Sequence, residues 1–187
     1  MKASITIKFT LFITLFCNRA FSQQQTFSTP QFRREFLSYI NQKRAIGCTC
    51  GVNYMPPAPP LKWNYQLEVI AAGHAVDMAR NNYFSHTSLD GRTMENRING
   101  GGYTINGYRS IEIGENIAFG QESIAEVMQG WFKSAGHCRN LMNPRFKEVG
   151  IAEDKKYWVQ DFGGREPFTP EQQRLLKSGR YRIVHAD

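Results

Sequence analysis

The 187-residue sequence has no long apolar run, no phosphate-binding glycine loop and no local pair of metal-ligating histidines. Each absence removes a class of protein. The apolar stretch from Phe9 to Cys17 is about half the roughly 20 residues a membrane helix needs, and Asn18, Arg19 and Gln23-Gln24-Gln25 soon follow, so no transmembrane segment is expected. There is no Walker loop and no dinucleotide fingerprint, and Gly100-Gly101-Gly102 opens no helix of the kind either would require. An H-E-x-x-H pair and a G-x-S-x-G nucleophile elbow are also missing. There is no internal repeat. Eight prolines and sixteen glycines are too few for a low-complexity chain, and 41% hydrophobic content with a net charge of +7 excludes disorder. The length suits one globular domain.

Part of the positive charge sits in a segment expected to be removed. Lys2 and Lys8 precede the apolar stretch, and Ala20-Phe21-Ser22 places small residues where a signal peptidase reads, so residues 1–22 read as a secretory signal peptide cleaved near Ser22. A lipoprotein anchor on Cys17 competes, although Phe16 is bulky for that processing. Losing Lys2, Lys8 and Arg19, and no acid, lowers the net charge from +7 to +4. The remaining excess is scattered and no nucleic-acid motif accompanies it, so nucleic acid is not an expected partner.

Export into an oxidising compartment changes how the cysteines read. With Cys17 removed, Cys48, Cys50 and Cys138 remain, and two of them should be joined. A ring between Cys48 and Cys50 would be strained, so Cys138 is expected to pair with Cys48 or Cys50, leaving one thiol over. Closing a loop of roughly 90 residues should contribute about 4 kcal/mol in the chain-entropy model.

Thr29-Pro30 is an N-cap followed by proline at the first helical position, and Phe32, Phe36, Leu37 and Ile40 then recur at helical spacing up to Gly47. The run GCTCGVNYMPPAPP forbids helix and predicts an extended surface connection. Leu67, Ile70, Ala71, His74, Ala75, Met78 and Ala79 define a second helix with one stripe facing a core. A short helix over Thr93 to Ile98 and a capping box at Ser123 to Glu126 follow, the latter opening an amphipathic helix broken at Gly136. Val149 to Ala152 and Tyr157 to Phe162 read as two strands joined by a polar hairpin, and a short helix is expected over Pro170 to Lys177.

Six polar residues are candidates for chemistry. His74 lies on the apolar stripe and reads as a packed core histidine, with Asp77 one turn on. His86 lies in a turn-rich stretch past that helix, where a ring can face a cleft. Glu115 stands in the apolar segment IGENIAFG, so its carboxylate must be paired, hydrogen-bonded or a metal ligand; the bland alternative is a loop anchor. Ser134 and His137 would share a face if one helix carried both, although helix packing suffices for Ser134. Cys138 beside His137 is better used in a disulfide than as a nucleophile. Two histidines and a glutamate suit zinc with an open fourth position.

The run PPLKWNYQLEVIAAGHAVDMARNNYFSHTSLDGRTMENRI, then IGENIAFG, GWFKSAGHCRNLMNPRFKEVGIA and YWVQDFG, closely resembles the bacterial, SCP-like extracellular branch of the CAP superfamily, which groups cysteine-rich secretory proteins, antigen 5 and pathogenesis-related 1 proteins. The resemblance implies a domain over residues 32–164, between an extension at 23–31 and a polar tail at 165–187. It implies an α+β fold, a three-layer α-β-α sandwich around a mainly antiparallel sheet, and a secreted, extracellular or periplasmic protein. The family's cleft of two histidines and two acids maps its first histidine to His86 and its first glutamate to Glu115. Ser134 falls where animal and plant members place the second glutamate, and PRFKE holds no histidine where they carry G-H-Y-T-Q. The bacterial S-x-G-H motif makes His137 the second imidazole. The resemblance requires no cofactor, with zinc the ion that His86, Glu115 and His137 would hold, and the fourth acid is absent from the motif. It implies a non-catalytic binding module for a lipid, sterol, cell-surface or cell-wall ligand. The alternatives are a metal-assisted hydrolase or peptidase in the same cleft, and a His-Glu network kept only for folding.

Overall fold

The computed structural model describes residues 28–181; the expected signal peptide and its cleavage site lie outside them. The first helix, α1, spans Pro30–Ile46 and is capped by Thr29 as the sequence predicts. The Pro-rich connection carries an element the sequence did not disclose, a small antiparallel hairpin of β1 (Cys48–Cys50) and β2 (Asn53–Met55), before the prolines take over. A two-residue strand, β3 (Lys62–Trp63), leads into α2 (Tyr65–Asn81), whose N-cap Asn64 accepts from the Gln66 and Leu67 amides. Thr93 caps α3 (Met94–Gly100).

The segment around Glu115, with a loop anchor as its bland reading, is instead the ten-residue strand β4 (Ser110–Phe119). Ile111, Ile113, Glu115 and Ile117 alternate there with residues of the opposite face. Ser123 caps α4 (Ile124–Lys133), but Glu126 completes no capping box, because its carboxylate accepts from the Glu122 amide rather than from Ser123. The helical break falls at Ser134, which is extended and ends α4; Gly136 lies inside α5 (Ala135–Met142). The expected strands are β5 (Glu148–Asp154) and β6 (Tyr157–Glu166), turned by Lys155 and Lys156 at φ 48° and 68° as a two-residue hairpin of the primed type requires. Helix α6 covers Pro170–Lys177.

The main sheet runs β3-β5-β6-β4, antiparallel except for the short β3–β5 pair, and β4 is an edge. Ala71, Ala75 and Met78 of α2 pack on Ile117, Ala152 and Val159 on one face, with α3 beside them through Ile98. Phe36 and Ile40 of α1 and Val127, Met128 and Trp131 of α4 meet Val149, Ile151, Trp158 and Phe162 on the other. The layers are helix, sheet, helix. Gly150 lets α2 lie against the sheet, since a Cβ there would stand 2.0 Å from the Glu68 amide nitrogen.

Arg44 was not singled out by sequence, yet it is fully buried. Its guanidinium donates to the carbonyls of Pro59, Leu141, Asn143 and Phe146, tying α1 to the proline segment and to the turn after α5. Burial lowers it to about 10, which still leaves it charged at neutral pH.

Candidate functional site

Glu115 is the centre of the site and almost wholly buried. Its neighbours in the β4 row are isoleucines, so the carboxylate survives there only because both oxygens are paired. His86 Nδ1 donates to Oε1 at 2.7 Å from the loop after α2, and Arg97 Nη2 of α3 donates to Oε2 at 2.6 Å. Burial alone would raise the Glu115 carboxyl; the His86 hydrogen bond and the Arg97 charge outweigh it and hold the group below its usual range. Arg97 also donates to the His86 and Arg92 carbonyls, so one guanidinium fixes both the carboxylate and the backbone carrying the imidazole.

A second buried acid, which the sequence reading did not single out, is Asp161. It stands directly opposite Glu115 in the β4–β6 ladder, so the two carboxyls share a face. Asp161 is 1% exposed and neither oxygen has a hydrogen-bond partner. Burial, then the Glu115 charge, push it well above the usual carboxylate range. An acid within the largely apolar YWVQDF run was the available signal. It could be read only once β4 was recognised as its partner strand.

His74 is packed in the core as expected, but its partner is not Asp77. Its Nε2 donates to the Ser85 carbonyl at 2.9 Å, while Asp77 binds Asn81 and Tyr83. Burial first, then the Arg97 charge, lower the ring's pKa.

Helix α5 lies along the open edge of β4. Asn140 donates to the Glu115 carbonyl and to Asn116 Oδ1, and Asn116 donates to the His137 carbonyl and Gln160 Oε1. The half-buried His137 ring is lowered by burial and then by the charge of His86. Among the described residues no hydrogen bond joins the His137 ring to His86, Glu115 or Ser134. One continuous helix does not carry both Ser134 and His137: Ser134 ends α4 and is the extended N-cap of α5, and its side chain makes no capping hydrogen bond.

The bridge is Cys50–Cys138, with a Cα separation of 5.4 Å, and Cys48 is the thiol left over. Among the described residues, the group of three such side chains with ligand atoms within 4.8 Å of one another is Cys48, Cys50 and Cys138; His86, Glu115 and His137 do not form one. With two of its sulfurs joined, the cysteine group offers a single thiolate and is no zinc site.

The structure is thus a three-layer sandwich with a buried acid pair at the sheet edge, an imidazole and a guanidinium on Glu115, and one bridge pinning the adjacent helix, the frame of an SCP-like domain. The chain belongs to the CAP family: the model of the cysteine-rich secretory protein family matches residues 37–162. Uncharacterized membrane protein YlbC of Bacillus subtilis is 30% identical over 122 residues, 65% of this chain and 34% of its own. Uncharacterized protein YkwD of the same organism is 30% identical over 126 residues, 66% and 47% of the two chains. This chain thus spans between a third and a half of those relatives. An extracellular SCP-domain protein of Bacillus anthracis superposes with a TM-score of 0.53 at 29% identity, covering 72% of this chain and 43% of that one. An outer surface protein of Borrelia burgdorferi shares the fold at a TM-score of 0.57 and 23% identity, over 74% and 96%. No helix among the described residues is long and apolar enough to cross a membrane.

Proposed function

We propose that the chain is a secreted, non-catalytic binding module whose ligand is a single-chain amphiphile with an anionic head. The observation that carries this reading is a groove of about 400 Å³ between α1 and α4, lined by Tyr39, Ala125, Met128 and Phe132 and flanked by Lys43 and Lys133. Its volume lies in the range of small-molecule sites, its wall is mainly apolar, and two cations at one site complement a carboxylate or phosphate head.

The His86–Glu115–Arg97 cluster then serves as the anchor of the loop between α2 and α3. The three side chains that the family resemblance offers for zinc do not fit a resident metal. Glu115 already spends both oxygens, one of them on a guanidinium that would repel a divalent ion, and the three ligand atoms do not converge. Hydrolysis lacks support for the same reason, and among the described residues no hydrogen bond joins the Ser134 hydroxyl to a base.

Displacement of a fluorescent fatty acid from delipidated protein tests the reading. Saturable binding is expected, and Ala125→Trp, which fills the groove from an exposed helical position, should weaken it at least about tenfold. Binding that ignores Ala125→Trp, or no binding of any anionic amphiphile, refutes it. Calorimetry with zinc on the same sample should show no saturable event removed by His86→Ala or His137→Ala.

A further inference from the structure

Strand alternation puts Cys48 and Cys50, two residues apart on β1, on the same face of the hairpin, and both look toward Cys138 of α5. The Cys48 sulfur lies 3.8 Å from the Cys138 sulfur, and Met55, Phe132 and Met142 enclose the group. Cys50 and Cys138 are fully buried, whereas Cys48 is only partly so. An external thiol can therefore meet Cys48 but not the bridge itself.

From this arrangement we infer that the three cysteines form a thiol–disulfide exchange site, with Cys48 the entry point for small external thiols. The Cys48 thiolate attacks the Cys138 sulfur. The Cys48–Cys138 bond forms as the Cys50–Cys138 bond breaks, and Cys50 leaves as a thiolate that takes up the proton. No net oxidation occurs. A low-molecular-weight thiol, as thiolate, then attacks Cys48, giving a mixed disulfide and releasing the Cys138 thiolate. Attack on a disulfide needs three sulfurs in line, which would place the outer two about 6 Å apart; here they lie within 4.8 Å, so Cys48 must first rotate about its Cα–Cβ bond. Burial raises the Cys48 thiol and Lys43 partly offsets this, so exchange is slow at neutral pH and accelerates in alkali.

The consequence for the fold is local. Cys138 shares α5 with His137 and Asn140, the residues that close the edge of β4, so opening the bridge loosens one wall of the cleft.

The test uses the mature chain. Alkylation at pH 9, followed by non-reducing peptide mapping, should find the alkylated thiol at both Cys48 and Cys50, resolved by fragmentation because both lie in one tryptic peptide. Under glutathione, Cys48→Ser and Cys48→Ala should each slow opening of the bridge by about tenfold or more. Cys50→Ser should form a Cys48–Cys138 bridge and remain folded. A thiol found only at Cys48 at every pH overturns the inference, as does equal opening in wild type and both Cys48 variants or a Cys50→Ser chain that leaves Cys138 unpaired.

Discussion

Replacing Arg97 with methionine keeps the length of the side chain and removes its charge from the centre of the site. Arg97 and Glu115 are 5% and 2% exposed and 2.6 Å apart, so neither charge is screened by water. Removing one partner of a buried pair costs about 3–5 kcal/mol, chiefly because the other charge is stranded. At this chain length each kcal/mol corresponds to about 2–4 °C, which predicts a fall in Tm of roughly 6–20 °C by calorimetry. The pH dependence is the sharper signature. In the wild type the Glu115 carboxyl is held low, so its contribution is present above the ordinary carboxylate range and is lost as pH falls through the folded value. In Arg97→Met the burial that raises Glu115 acts unopposed by Arg97, and protonation relieves the stranded charge. The stability gap between wild type and variant must therefore widen from pH 4 to pH 7. Glu115→Gln and the double variant complete a cycle in which a coupling of at least about 2 kcal/mol is expected. A gap that is flat with pH, or a coupling within about 0.5 kcal/mol of zero, would refute the reasoning.

The raised Asp161 carboxyl works with the opposite sign: its contribution is complete below the ordinary aspartate range and declines as pH rises. Asp161→Asn should therefore gain on the wild type as pH rises, read as the difference between urea midpoints at pH 5 and pH 8; a constant difference would count against a raised Asp161 carboxyl. Arg44→Met leaves four carbonyls without their donor and should cost about 3–5 kcal/mol, with Arg44→Lys recovering only part because an ammonium lacks the planar fork. Full recovery in denaturant titrations would show that charge alone suffices. Gly150→Ala drives a methyl into the α2 backbone and should cost at least about 3 kcal/mol or abolish folding, as circular dichroism would show; a wild-type Tm would mean that α2 can move away.

Local rules placed most of the helices. Thr29, Asn64, Thr93 and Thr169 cap α1, α2, α3 and α6 through neighbours a few residues away, a scale at which sequence spacing is itself the geometry. The hairpin of β5 and β6 was equally legible. What failed to read locally was β4, whose alternation of Ile111, Ile113, Glu115 and Ile117 is interrupted on the other face by Gly114 and Asn116. With β4 unseen, Asp161 had no partner to give it meaning, and Arg97, 18 residues from Glu115, had no visible role.

The order of the motifs, through the family resemblance it carries, determined the family, the α+β class, and His86 and Glu115 as a pair to watch. Cys138 also stood out as the expected half of a bridge. Only the tertiary structure decided that Glu115 answers to Arg97 and faces Asp161, that the His137 ring makes no hydrogen bond to them, and that Cys50 rather than Cys48 takes the bridge. The reason is one of range. A cap or a helical stripe is set by residues within two turns, whereas a buried charge or sulfur takes its partner from whichever strand and helix the packing brings against it.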